Sequence, residues 1–311
     1  MALFSTTDKD FDPRTYPFTT LTIVDLVLLS SAAVISFAGV YFAFKDLPPH
    51  ATAEIKVRPR TTAVLTSFLM ILSTVPVAMI LHQALDDPSL PDARKPAIKY
   101  TSAVISILDA AVSFLVLSFL IRLVDFVHRP VDNASSSSDS PSKTSDRLIK
   151  GLGVAVVLAI INNLVIAFGL PDDGIRDITA ADVVVWVLSI IINVMYLVII
   201  IIVLTTRGPL LAVAIVALLR YINALLSPFI LLGASKLFDI PVFFKFITAL
   251  SILGVILTQC AEAIIVLVLI KVLAHQLADS GISEEPQDPA RRPLLASANE
   301  QPAGTFNASS E

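Results

Sequence analysis

Long apolar stretches alternate with short polar ones along nearly the whole chain. Seven of them are long enough to cross a bilayer, at residues 21–44, 61–85, 98–124, 149–170, 181–204, 209–233 and 240–273. A hydrocarbon core of ~30 Å needs ~20 helical residues, and in lipid only helices or closed barrels satisfy every backbone N–H and C=O. The runs are almost continuously apolar, as across residues 186–204, and lack the period-two alternation of barrel strands. The pattern predicts an all-α fold, a seven-transmembrane helix bundle. Pro48, Pro49, Pro88, Pro91, Pro171, Pro209 and Pro241 fall at or just beyond run ends, where a missing N–H costs little. Pro76 and Pro228 lie inside runs and predict kinks.

Composition agrees with a membrane solvent. Hydrophobic residues make up 55% of the chain and charged ones only 15%, with a mean hydropathy of +0.81, well outside the usual soluble range. The formal net charge of -4 supplies no basic field, so no nucleic-acid partner is expected. The lone Cys260 excludes an intrachain disulfide. Asp8, Asp10 and Asp12 near the start are unlike the basic region of a removable leader, so the first run is expected to be its own insertion signal.

Basic residues set the expected orientation, because Lys and Arg near span ends favour the cytoplasm. With the N-terminus outside, the cytoplasmic side holds Lys45, Lys56, Arg58, Arg60, Arg122, Arg129, Lys143, Arg147, Lys150, Arg207, Lys271, Arg291 and Arg292. The other side holds only Lys9, Arg14, Arg94, Lys95, Lys99, Arg176 and Lys236. The N-terminus is therefore expected outside and the C-terminus in the cytoplasm. The chain divides into a short external tail (1–20), a seven-span membrane domain (21–275) with a disordered cytoplasmic loop (130–147), and a disordered cytoplasmic tail (276–311). The serine-rich segment 133–146 and the tail are candidate docking or phosphorylation sites for a cytoplasmic protein partner.

A charged side chain at mid-membrane costs at least ~2.5–3.5 kcal/mol, so each needs a partner, a wet cavity or a way to the interface. Asp25, Asp109, Arg220, Lys245 and Glu262 are the candidates. Several lie on polar helix faces at i, i+3, i+4 spacing. The third run carries Ser102, Ser106, Asp109 and Ser113; the fifth Asp182, Trp186, Ser189, Asn193 and Tyr196; the sixth Arg220, Asn223 and Ser227; the seventh Lys245, Thr248, Ser251, Thr258 and Glu262. At ~1.5 Å per residue Arg220 lies near the midplane and can reach Asp109 or Glu262. Asp25 and Lys245 lie at similar depth and can pair or reach the interface separately, while Asn162, Asn163 and Gln259 can extend the network. The bland reading is ordinary interhelical glue worth ~0.6 kcal/mol per contact, which suits the serines and asparagines better than the charges.

Catalytic machinery is not apparent. The chain has no His-Glu-x-x-His, paired-cysteine metal site, phosphate-binding glycine loop or Gly-x-Ser-x-Gly turn, so no enzyme activity, metal or cofactor is expected. The layout resembles G-protein-coupled receptors in topology only, since the third run ends Ile121-Arg122-Leu123-Val124-Asp125 and the seventh lacks Asn-Pro-x-x-Tyr. A retinal protein would need a lysine nearer the middle of the last run than Lys245 or Lys271. With Leu219-Arg220-Tyr221 and the final run ending Val266-Leu267-Val268-Leu269-Ile270-Lys271, the chain resembles uncharacterised seven-span membrane proteins of filamentous fungi, whose domain has no assigned function. The sequence leads to a receptor- or sensor-like protein of the plasma membrane or an endomembrane. It would bind a small-molecule ligand through Asp25, Asp109, Asn193, Arg220, Asn223, Lys245, Gln259 and Glu262, with the lipid bilayer as its other partner. A transporter of a small solute or lipid, and a non-catalytic scaffold or partner subunit, are the alternatives.

Overall fold

The computed structural model describes residues 18–49, 51, 55, 57–86, 95–127, 143–165, 180–204, 210–237, 246, 249–250 and 252–279. These residues are helical apart from short connections, with no strand among them. The helices are α1 (Phe18–Lys45), α2 (Pro59–Asp86), α3 (Lys95–Val127), α4 (Lys143–Leu164), α5 (Ala180–Leu204), α6 (Leu211–Leu237) and α7 (Ala261–Asp279). A π turn, Ile256–Cys260, leads directly into α7. Positions 76 and 228, both proline, lie within α2 and α6. Among the described residues six stretches are long and apolar enough to cross a membrane: Thr22–Lys45, Pro59–Met79, Tyr100–Val127, Lys143–Leu164, Val183–Val203 and Ile252–Asp279. A further apolar stretch, Leu211–Leu226, lies in α6.

Consecutive helices from α1 to α6 pack as neighbours, and α7 touches α1, α2, α3 and α6. Close approach of α1 follows from small residues on one face: Ala32, Ser36 and Ala43 are buried, and a side chain at Gly39 would meet Val266 of α7. The outward faces carry exposed Val27, Val34, Phe37, Val104, Val157, Val184, Ile201 and Ile215. Helices apolar on both the packed and the outward side are stable in lipid rather than water. The chain is a multi-pass helical membrane protein.

Packing is uneven along the bundle axis. At the end where α1, α3, α5 and α7 finish, Phe119, Leu120, Leu123, Ile200, Leu269, Ile270 and Leu273 are fully buried. Toward the opposite end buried side chains are sparser among the described residues, Leu29 and Val185 being examples, whereas exposed apolar side chains occur at both ends, as at Tyr41, Phe44 and Leu211 of the first and Trp186 and Phe229 of the second. Fully buried side chains are thus denser in one half of the bundle, the closed half, than in the other, the open half.

Polar latches hold the closed end. Arg60 of α2 donates from Nε to the Ala43 carbonyl at 3.0 Å and from Nη2 to the Leu47 carbonyl at 2.6 Å, satisfying acceptors that the end of α1 leaves unpaired. Lys271 of α7 pairs with Asp46 at 2.7 Å. Arg122 of α3 pairs with Asp146 in the first turn of α4 at 2.7 Å. That contact, with the acid favourably placed at a helix start, explains a departure from expectation: residues 143–147, assigned above to the cytoplasmic loop, open α4. Likewise α7 runs on to Asp279, through residues expected to begin the tail.

Candidate functional site

Where the closed half meets the open half, one guanidinium joins three helices. Arg220 of α6 donates from Nη2 to Asp109 Oδ1 of α3 at 2.9 Å and to Ser113 Oγ at 3.1 Å. Its Nη1 lies 2.7 Å from Glu262 Oε1, at the start of α7. That last contact is an ion pair without an aligned hydrogen bond, since both Glu262 oxygens lack a hydrogen-bond partner. Only arginine presents donors in a planar fork able to meet two acids at once from one side chain. The three side chains differ in access: Glu262 is 0% exposed, Arg220 8% and Asp109 37%.

Two tyrosines complete the site. Tyr221 follows Arg220 on α6, and its ring centroid lies 5.5 Å from the Arg220 guanidinium carbon. Tyr196 of α5 stacks on Tyr221 at 4.6 Å between centroids, with 21° between planes. Both tyrosines are buried, and the Tyr196 hydroxyl has no hydrogen-bond partner. Its phenol is near enough to interact electrostatically with Asp109, Arg220 and Glu262.

Polar faces lead to this point from the open half. On α3, Ser102 is exposed, Ser106 and Asp109 are half-buried and Ser113 is buried. On α5, Trp186 is exposed, Ser189 and Asn193 are half-buried and Tyr196 is buried. On α6 the half-buried Asn223 precedes Arg220 along the same inward direction, and on α7 the half-buried Thr258 precedes Glu262. Beyond the charges the lining turns apolar, with buried Val116, Ala217, Val266 and Leu269. Along these polar faces exposure falls toward the three charged side chains.

The structure thus brings Asp109, Arg220 and Glu262 together. Arg220 takes both acids at once, where spacing had left the choice open. Asn193 is half-buried on the polar face of α5 and donates to the Ser189 carbonyl of its own helix at 2.9 Å. Gln259 lies in the π turn beside Thr258, whose hydroxyl bonds with it and with the Gly254 carbonyl. Asn162 of α4 donates to Ser189 Oγ at 2.9 Å and ties α4 to α5. Asp25 is half-buried on α1. Lys245 lies outside the described residues, and with it the expected pairing with Asp25. Tyr221 escaped the sequence reading as a site residue because it sits one position after Arg220, off the i, i+3, i+4 face. Tyr196 and Ser113 did carry that spacing. No group of three or more His, Cys, Asp or Glu among the described residues could hold a metal ion.

Comparison with protein-family models, with curated proteins and with solved structures returns no match. The site therefore defines a class, a multi-pass helical membrane protein with an intramembrane charge cluster, and its geometry must carry the functional reading.

Proposed function

We propose that all seven helices cross the membrane, with the N-terminus and the open half outside, and that the protein is a receptor-like sensor of a small polar ligand. The observation that carries this is the Arg220 bridge between Asp109 and Glu262 at the foot of a cup lined by hydroxyls and amides. A buried ion pair is a poor means of holding helices together, because desolvation offsets much of its attraction. A cluster that joins α3, α6 and α7, with Asp109 partly exposed and Glu262 fully buried, is suited to a switch. A ligand competing for Asp109 would change what Arg220 pulls on, and α7 carries that change through the closed half to the cytoplasmic end. There the segment preceding α4 and the C-terminal tail are the surfaces for a protein partner. The resemblance to fungal seven-span proteins is compatible with this reading and is not needed for it.

Thiol accessibility tests the cup directly. In a Cys260→Ala background, Ser106→Cys and Asn193→Cys should react with a charged, membrane-impermeant maleimide in detergent micelles, whereas Ser118→Cys in the packed half should not. Equal protection of all three positions would remove the cup and the reading with it.

A carrier is the second reading. It is favoured by the π turn immediately on the open side of Glu262, since such turns mark sites where a helix changes shape. Flux of amino acids, ions or lipids into proteoliposomes would support it, and its absence across all three would leave the sensor.

A further inference from the structure

The charge count at the cup floor does not close. With both carboxylates ionised, Asp109 and Glu262 bring two negative charges against the single positive charge of Arg220. Among the described residues the groups beside the cluster are Ser113 from α3, Tyr196 from α5 and Tyr221 from α6, and none of these brings a compensating cation; the Cys260 thiol turns instead to the Leu28 carbonyl of α1. An excess charge in a medium of low dielectric is costly unless something neutralises it. Arg220 is already committed to both acids.

Two buried polar groups point to what is missing. The Tyr196 hydroxyl, in a residue 4% exposed, and the second carboxylate oxygen of the fully buried Glu262 have no hydrogen-bond partner. Such groups are rarely left unsatisfied in a folded protein, and in a functional site an ion or ligand is a recurrent reason. Both are oxygens, as are the hydroxyl of Ser113 and the remaining lone pairs of Asp109. The spare charge also has a way in: Asp109 is the acid open to the cup, whereas Glu262 is sealed against Arg220.

We propose that the cup binds a monovalent cation, an inorganic ion or an ammonium head group, against Asp109. This deepens the ligand-sensing reading above and rests on its open cup. Oxygen ligands with one uncompensated charge suit a singly charged hard cation. A divalent ion would need more carboxylates than the site supplies. A proton on one acid would also balance the charge, but it leaves the Tyr196 hydroxyl without a partner, and it is an outcome the test separates.

The test uses the full-length protein in detergent micelles, with thermal unfolding followed by fluorescence of its single tryptophan, Trp186. Sodium, potassium, methylammonium and tetramethylammonium chlorides are compared at one concentration and one pH, so that ionic strength is common to all arms. The expected result is a ranking, with one cation raising the midpoint by about 2–4 °C over the weakest, the size of shift a ligand near saturation gives. Sodium or potassium at the top identifies an inorganic ion, and methylammonium or tetramethylammonium an ammonium head group. Asp109→Asn should abolish the ranking while the protein remains monodisperse on gel filtration. If that variant is not recovered, Asn223→Ala, which removes a neutral lining group, should compress the ranking. Identical midpoints in all four arms, a ranking that survives both substitutions, or a midpoint that follows pH and ignores the cation would overturn the proposal, the last in favour of a proton. Should Ser106→Cys still react with maleimide when no ranking is seen, only the cation inference falls. Protection of that thiol would bring down the cup as well.

Discussion

Arg220→Met, Glu262→Gln and the double variant Arg220→Met/Glu262→Leu form the most informative perturbation, because the two-to-one cluster makes their costs unequal in a defined order. Removing Arg220 strands Glu262, which is 0% exposed, with no opposite charge. Breaking a buried pair in this way costs about 3–5 kcal/mol. Asp109, at 37% exposed, loses less because solvent in the cup screens it. Glu262→Gln leaves Arg220 balanced one-to-one by Asp109, with an amide oxygen still beside Nη1, so its cost is about 1–2 kcal/mol. The double variant replaces the dry pair by apolar side chains of similar size and should recover most of the loss. With Glu262→Leu measured alone as the second single variant of the cycle, the coupling energy, the failure of the two single effects to add, is then about 3 kcal/mol or more. Were the three residues ordinary interhelical glue, each change would cost about 0.6 kcal/mol and the effects would add. Thermal unfolding of the purified variants in one detergent measures this, at about 2–4 °C per kcal/mol for a chain of this order of size. Arg220→Met no worse than Glu262→Gln, or simple additivity in the double variant, would refute the idea that Arg220 and Glu262 form a dry, coupled pair.

Other positions make sharper local tests. Arg60→Met should destabilise the protein by about 1–3 kcal/mol in the same assay, since it leaves the Ala43 and Leu47 carbonyls without their donor, and Arg60→Lys should recover only part because lysine lacks the fork. Asn162→Leu is expected to cost under about 1 kcal/mol despite losing the bond to Ser189, because it also removes the Asn162 side-chain carbonyl, which is buried without a partner. An unfolding midpoint shifted as far as that of Arg220→Met would contradict this. For orientation, a glycan acceptor inserted near Asp86 should be modified in a eukaryotic host and one inserted near Ser137 should not, with a gel shift as the readout.

The spans were legible because lipid imposes one simple demand, a run of apolar residues of fixed length; six of the seven runs overlap span-length helices among the described residues, and the run at 209–233 holds the shorter apolar stretch Leu211–Leu226. Their ends were less legible. Lys143 to Arg147 read as polar linker, yet Asp146 reaches across to Arg122 and starts α4 early, a contact between residues 24 positions apart that no local pattern encodes. The charged floor was legible in part for the same reason as the spans: an ion in lipid demands a partner, so Asp109, Arg220 and Glu262 stood out. That all three share one contact depends on the relative rotation of α3, α6 and α7, which spacing along each helix leaves undetermined. Tyr221 and the π turn gave no warning. The first is one residue off the polar face, and the second lies in an apolar run that reads as uninterrupted helix.

That π turn has a mechanical consequence. Five residues, Ile256–Cys260, wind more slowly there than in an ordinary α-helix, and tightening them to α geometry would revolve the preceding segment by roughly one residue's step, about 100°. Ala261–Asp279 is gripped by the packed half and would stay still. The last helix therefore contains a swivel one residue short of its deepest acid. Shortening the turn by one residue would preserve the facing of both segments and leave no slack with which to rotate.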